Sequence, residues 1–203
     1  YICYNSINCK FEVKIDHQKI FETPIFEIEL PEIDNRAMEK GIYELKEKDS
    51  GIIKSNFGGW HSEIQHKKIS ICFKPIIESM SDILPDLPFN PKISQVKDIT
   101  LWANINKKHS YNTAHYHPGC DISGVYYVKV PKGDCGNINF NDPRPALNFG
   151  NGFIVERYTG GDSTPRYPAE GNMYLFPSSL SHDVSPNLTD EDRISVSFNL
   201  NLS

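Results

Sequence analysis

The amino-acid sequence predicts a mainly β domain with flanking helices, an α+β chain whose second half closes into a jelly roll. Three observations predict it. From residue 93 onward the hydrophobic period is two, in short segments divided by Gly, Pro, Asn and Asp clusters. Before that point the chain carries two apolar stripes at helical spacing. The last segment, RISVSFNLNL, alternates without a break, as a strand with one buried face does.

In chain order, ETPIFEIEL alternates apolar and polar residues like an edge strand. IDNRAMEKGIYELKEKDSG follows, with Met38, Ile42 and Leu45 on one helical face, Asp34 or Asn35 as the N-cap and Gly51 as the stop. A second stripe runs through Ile69, Cys72, Phe73, Ile76, Ile77, Met80, Ile83 and Leu84. Pro75 interrupts it, and because proline suits the first helical turn, the regular part is expected to begin there. ITLWANIN, SGVYYVKV, NINF, GFIVE, NMYLFP and RISVSFNLNL are the strand candidates of the second half. Residues 142–168 are long and turn-rich, either a lid over whatever the barrel holds or a plain surface excursion. One domain spans 1–203, with 1–92 as mixed support and 93–203 as the β core; 203 residues suffice to bury one sizeable core.

A net charge of −5, with no Lys/Arg block longer than a pair, lacks the footprint of a protein that grips phosphate backbones. No apolar run approaches the roughly 20 residues a membrane-spanning helix needs. Cys3, Cys9, Cys72, Cys120 and Cys135 are odd in number and form no CxxC pair, which suits a reducing compartment. The location expected with that cysteine usage is cytoplasmic; the N-terminal YICYNSINCKF, with no initiator Met and no basic-then-apolar signal pattern, carries no weight for function.

The stretch AHYHPG raises the chemical question, because alternate residues of a strand share a face and so His115 and His117 point the same way. Two imidazoles could then share a metal, or one could be an ordinary hydrogen-bonded histidine. On the last segment Ile194, Val196, Phe198 and Leu200 make an apolar face, and Arg193, Ser195, Ser197 and Asn199 a polar one. In a closed barrel a polar inner face headed by arginine implies a pocket for an anion; on an edge strand it would simply meet water. His182 lies shortly before, after NMYLFPSS. His61 and Trp60 in GGWHS either line a substrate mouth or belong to a turn that packs its indole on the barrel, the second being expected. Asp142 and Arg144 are an expected ion pair, while His17, His66 and His109 read as surface residues.

Taken together, HYH, SGVYYV, GNINF, GNMYLFPSSLSHDVSPN and RISVSFNL resemble the Fe(II)- and 2-oxoglutarate-dependent oxygenases. The resemblance is to a branch found in bacteria and in phages of marine cyanobacteria, marked by SGVYYV, DPR and LFPSxxxH; SNFGGWHS also fits. It implies a double-stranded β-helix, a cupin-like barrel, with Fe(II), 2-oxoglutarate and O2 as cofactor and cosubstrates. It assigns His115 as first ligand, His182 as distal ligand and Arg193 as partner of the far carboxylate of 2-oxoglutarate. Ser195, Ser197 and Tyr127 become hydrogen-bonding neighbours of the cosubstrate, with Asn104 beside them.

The sequence departs from that pattern at the second ligand, where His117 replaces the usual carboxylate. Three readings follow. His115, His117 and His182 form a three-histidine site; or Asp121 or Asp183 supplies a carboxylate; or the metal site is degenerate. The activity implied is hydroxylation of an unactivated C–H bond coupled to decarboxylation of 2-oxoglutarate to succinate and CO2. The alternatives are a cupin-like three-histidine enzyme that uses no oxo acid, and a non-catalytic jelly-roll binding or virion module. The expected partner is a small-molecule or peptide substrate, lined by Tyr126, Tyr127, Trp102 and Tyr174. No nucleic acid or membrane is expected, a homodimer is possible, and the location is the host cytoplasm if the chain is phage-encoded.

Overall fold

A computed structural model describes residues 22–88, 95–143 and 163–203. The predicted GFIVE strand, Arg144 and most of 142–168, His17, Cys3 and Cys9 lie outside the described residues.

The first strand, β1 (Phe26–Glu29), stands at a sheet edge as its alternation predicts. Helix α1 (Asn35–Lys46) begins because the Asp34 carboxylate accepts from the Arg36 and Ala37 amides, both at 3.1 Å, satisfying two of the orphan donors of the first turn. It ends at Lys46, before Gly51; that glycine instead takes a φ of 78° in a turn under Trp60. A 3-10 turn (Ile71–Phe73) leads into α2 (Lys74–Ile83), with Pro75 in the first turn as expected. A second 3-10 turn takes Leu84 out of the helix.

Two antiparallel sheets follow. The larger has the order β1, β9 (Asn172–Pro177), β6 (Ile122–Lys129), β11 (Arg193–Leu202), β4 (Val96–Asn106), β3 (Trp60–His61). The smaller has the order β2 (Asn56–Phe57), β5 (Tyr111–His115), β10 (His182–Val184), β7 (Ile138–Asn141), β8 (Ser163–Arg166). This is the predicted jelly roll.

One face of the larger sheet is covered by the helices. Met38, Ile42, Phe73, Ile76 and Met80 pack on Leu101, Ala103, Ile105, Ile194, Val196, Phe198 and Leu200. Full burial of each large apolar side chain stabilises by about 1.5–3 kcal/mol before chain entropy is set against it. A smaller cluster joins the two sheets through Val125, Tyr127, Phe140, Tyr174 and Phe176. The apolar face of β11 therefore belongs to the helix side, and its polar face looks between the sheets. β11 is central, flanked by β4 and β6, so that polar face does not belong to an edge strand. Among the described residues no helix is long and apolar enough to cross a membrane.

Candidate metal and anion site

The smaller sheet builds one wall. β5 ends on His115, β10 starts on His182, and the two residues face each other directly across the antiparallel pair. Directly opposed residues project to the same side, so the register alone brings their rings to a centroid separation of 4.3 Å. His117 follows the strand end, held where its backbone N–H donates to the Ser178 carbonyl at 2.9 Å. Its ring lies 5.0 Å from that of His115 and 5.2 Å from that of His182. One nitrogen from each of the three lies within 4.8 Å of the others.

Hydrogen bonds fix the tautomers of two rings. Nδ1 of His115 is 2.7 Å from the Thr113 carbonyl and Nδ1 of His182 is 2.9 Å from that of Leu180. A carbonyl only accepts, so each Nδ1 carries the proton and each Nε2 keeps its lone pair for the cluster. Burial first, then repulsion from His182, His115 and His61, pulls the His117 pKa down to about 3. Burial and the His115 charge take His182 down to about 4, and burial also lowers His115. All three imidazoles are therefore neutral at neutral pH. Three neutral nitrogen donors on one wall fit a divalent first-row ion such as Fe(II), for which imidazole is a suitable ligand.

Neither aspartate joins them. Asp121 is exposed, its carboxylate accepts from the Leu202 amide at 2.8 Å, and it ties the end of β11 to the start of β6. Asp183 follows His182 on β10 and so points to the opposite face, where the Asn139 and Asn141 amides hold it at 2.7 and 3.3 Å. The reading in which one of them supplies a carboxylate therefore has no support in the geometry.

The larger sheet builds the facing wall. Asn104 on β4, Ser195 on β11 and Tyr127 on β6 form one cross-strand row, and Asn104 donates to Ser197 at 3.1 Å. Arg193 heads β11 one pleat away and is 2% exposed. Its Nη1 donates to the carbonyls of Cys135 and Gly136 at 2.5 and 3.1 Å, and no carboxylate among the described residues pairs with it. Burial lowers its pKa, yet guanidinium stays charged at any working pH. A buried cation without a counter-ion is costly by several kcal/mol. The position is thus prepared for an anion. Tyr127 beside it is fully buried and its phenol is pushed up to about 12, so it stays protonated.

Between the walls lies a cavity of about 740 Å³ that takes in His115, His117, His182, Arg193, Ser195, Ser197, Tyr127 and Asn104 together. Trp102 lines it as expected, but Tyr126 and Tyr174 do not. Tyr126 points to the helix side, its hydroxyl donating to Asn35 at 2.8 Å. Tyr174 fills the core between the sheets, its hydroxyl 3.0 Å from both Glu27 and the Tyr167 carbonyl. Each had been expected from its aromatic character, which carries no information about face once a strand is buried on both sides.

Trp60 packs its indole as expected, with Nε1 donating to the Asp49 carbonyl at 3.0 Å. His61 differs from the expectation. It is 4% exposed, lines the cavity and stacks on Trp102 at 5.6 Å with an interplanar angle of 5°. Its Nδ1 lies 2.6 Å from the Ser62 carbonyl. Trp102 in turn meets His117 at 5.6 Å. The alternation rule could have found His61, since Trp60 and His61 are adjacent on β3 and must face opposite ways. Ser55 was also missed; its hydroxyl is 3.4 Å from His115 Nε2. His66 is exposed and pairs with Asp98, while His109 occupies a turn with φ 67°.

Comparison with known proteins agrees with this construction. Residues 100–199 match the family model described as "Putative 2OG-Fe(II) oxygenase". No curated protein matches the chain. Among solved structures it resembles a Pseudomonas putida prolyl-4-hydroxylase with a TM-score of 0.63, at 12% identity over 87% of this chain and 91% of that one. It also resembles the viral collagen prolyl hydroxylase of Paramecium bursaria Chlorella virus-1, with a TM-score of 0.57 at 13% identity over 87% and 94%. HygX from Streptomyces hygroscopicus, with nickel and 2-oxoglutarate bound, gives 0.56 at 14% identity over 88% and 83%. At such identities these likenesses speak to the fold, which is shared with oxygenases. The family match covers the three histidines and Arg193 alike, and over residues 100–199 the chain is similar to the 2OG-Fe(II) oxygenases.

Proposed function

We propose that the protein is an active Fe(II)- and 2-oxoglutarate-dependent oxygenase that hydroxylates an unactivated C–H bond, with His115, His117 and His182 holding the iron. The observation that carries this reading is the pairing, in one cavity, of three converging neutral imidazoles with a buried arginine that has no counter-ion among the described residues. HygX was solved with iron and with nickel and 2-oxoglutarate, and the viral prolyl hydroxylase as its 2-oxoglutarate complex. Those ligands suit the donor set here.

Iron with 2-oxoglutarate and O2 supplies the oxidising power, the oxo acid leaving as succinate and CO2 while the substrate gains a hydroxyl. The chain's own part is binding, orientation and exclusion of water. Arg193 grips the far carboxylate of 2-oxoglutarate with the donors that its bonds to Cys135 and Gly136 leave free, the planar fork suiting a carboxylate. Those two carbonyls fix the guanidinium before the ligand arrives, so little side-chain entropy is lost on binding. Ser195 and Tyr127 offer hydroxyls from the same wall. Asn104, already bonded to Ser197, holds that serine in place. Trp102 and Phe176 close the sides of the cavity against water. The free thiols of Cys72, Cys120 and Cys135 suit a reducing cytoplasm.

The test is spectroscopic. Adding 2-oxoglutarate anaerobically to Fe(II)-loaded protein should produce a metal-to-ligand charge-transfer band, absent in His182→Ala and weakened in Arg193→Met. A second reading draws on the ligand set having no carboxylate among the described residues: a three-histidine site working without the oxo acid, in which Arg193 binds the substrate's own acid group. Stoichiometric iron with no band on addition of 2-oxoglutarate would favour it.

A further inference from the structure

We propose that the primary substrate is a small organic anion, carrying a carboxylate or phosphate, which Lys54 receives at the mouth of the cavity beside the His61–Trp102 stack. The inference rests on the oxygenase reading above and names the substrate class of that same site.

Charge makes the case. Among the described residues the cavity wall contains no Asp or Glu, although the chain as a whole carries −5. The fixed charges that the described residues place on it are both positive, Lys54 and Arg193. A site with one carboxylate ligand would lower the charge of a divalent ion by one, but here His117 stands in that place and all three rings are neutral. The ion's +2 is then balanced only by the −2 of 2-oxoglutarate, and the two side-chain cations remain in excess. A wall of one sign around a partly closed space focuses field into it and favours a ligand of the opposite sign.

Position separates the roles of the two cations. His61 on β3 lies opposite Asn104 on β4, which lies opposite Ser195 on β11, so one row runs across the wall from His61 to Tyr127. Four strands in sequence span about 14 Å. Arg193 belongs to the β11 side of that row, with Tyr127. Lys54 belongs to the other side: its charge is felt at His61, and its neighbour Ser55 touches His115. No carboxylate among the described residues pairs with the Lys54 ammonium. Two acids can thus be held at once, 2-oxoglutarate toward Arg193 and the substrate toward Lys54. The faces of His61 and Trp102, with Ile64 and Tyr116 at the rim, give the substrate's carbon skeleton an apolar and aromatic bed. The cavity volume is within the range of small-molecule sites.

The experiment uses full-length protein loaded with Mn(II) and saturated with N-oxalylglycine, so that the Arg193 position is filled. Matched pairs of carboxylic acids and their amides, aliphatic and aromatic, are titrated by calorimetry at low salt. At least one acid should bind about tenfold or more tighter than its amide, with the preference shrinking at about 0.5 M salt. Lys54→Met should remove most of that preference while leaving the affinity for N-oxalylglycine unchanged. If no acid in the panel outbinds its amide, or the preference survives in Lys54→Met, the proposal is overturned with the oxygenase reading intact. If N-oxalylglycine itself fails to bind the metal-loaded protein, the oxygenase reading falls and takes this one with it.

Discussion

Replacing His182 by Asn isolates the cost of keeping a neutral imidazole inside the protein. Asparagine retains a donor for the Leu180 carbonyl, which His182 Nδ1 now contacts at 2.9 Å, and it has no proton to gain in the range of interest. In the folded protein His182 titrates near 4, against an ordinary value of 6.5, and it is 4% exposed. The unfolded chain therefore binds a proton as pH falls through 6.5 while the native state resists until about 4. In that window unfolding takes up a proton, so stability rises with pH and is lost on acidification. At pH 5 the unfolded imidazole lies about one and a half units past its midpoint, and at 1.36 kcal/mol per unit the loss is about 2 kcal/mol. That figure changes little with the folded value, provided it stays well below 5. The assay is urea denaturation of chelator-treated protein at about pH 7.5 and pH 5. Wild type should lose about 2 kcal/mol more than His182→Asn between the two conditions. An identical pH dependence in the two proteins would refute the claim that burial holds this ring neutral.

Other consequences are equally direct. Arg193→Met should weaken N-oxalylglycine binding by a hundredfold or more, about 3 kcal/mol for the loss of a buried ionic grip, while metal affinity stays constant; calorimetry on each ligand checks both halves. Asp121→Ala and Asp183→Asn should leave Fe(II) affinity within about twofold, whereas His117→Ala should lower it more than about tenfold, because only the histidine offers a donor to the cluster. Gly124→Ala should cost about 1–3 kcal/mol in thermal or urea denaturation. Its added Cβ would meet Phe198 Cε2 at 2.5 Å and Leu175 Cδ2 at 2.8 Å within the packed face of the larger sheet.

Long periodic stretches were legible in the sequence, and short ones were not. The alternation of β11 announced both its faces, and the structure puts Ile194, Val196, Phe198 and Leu200 against the helices and Arg193, Ser195 and Ser197 in the cavity. Asp34 and Pro75 marked helix starts because capping and fixed φ are local properties. Gly51 misled as a helix stop, since its positive φ serves a turn under Trp60 instead. Strands β2, β3 and β10 have two or three residues each, too few to show a period, and they exist through pairing with β5, β4 and β7. The site divides in the same way. His115 and His117 were marked by their spacing, but the meeting with His182 depends on the β5–β10 register, a non-local fact. Lys54, Ser55 and His61 enter the cavity from segments with no pattern of their own. The fates of Asp121 and Asp183 could be decided only by which backbone and amide groups reached them.

Crystals of the protein soaked anaerobically with Fe(II) and N-oxalylglycine, and measured at the iron absorption edge, test the three-histidine centre most directly. The account predicts one anomalous peak bonded to nitrogens of His115, His117 and His182, with the far carboxylate of the inhibitor on the Arg193 guanidinium. A peak coordinated by an aspartate in place of His117, or no peak between the two sheets, would contradict it.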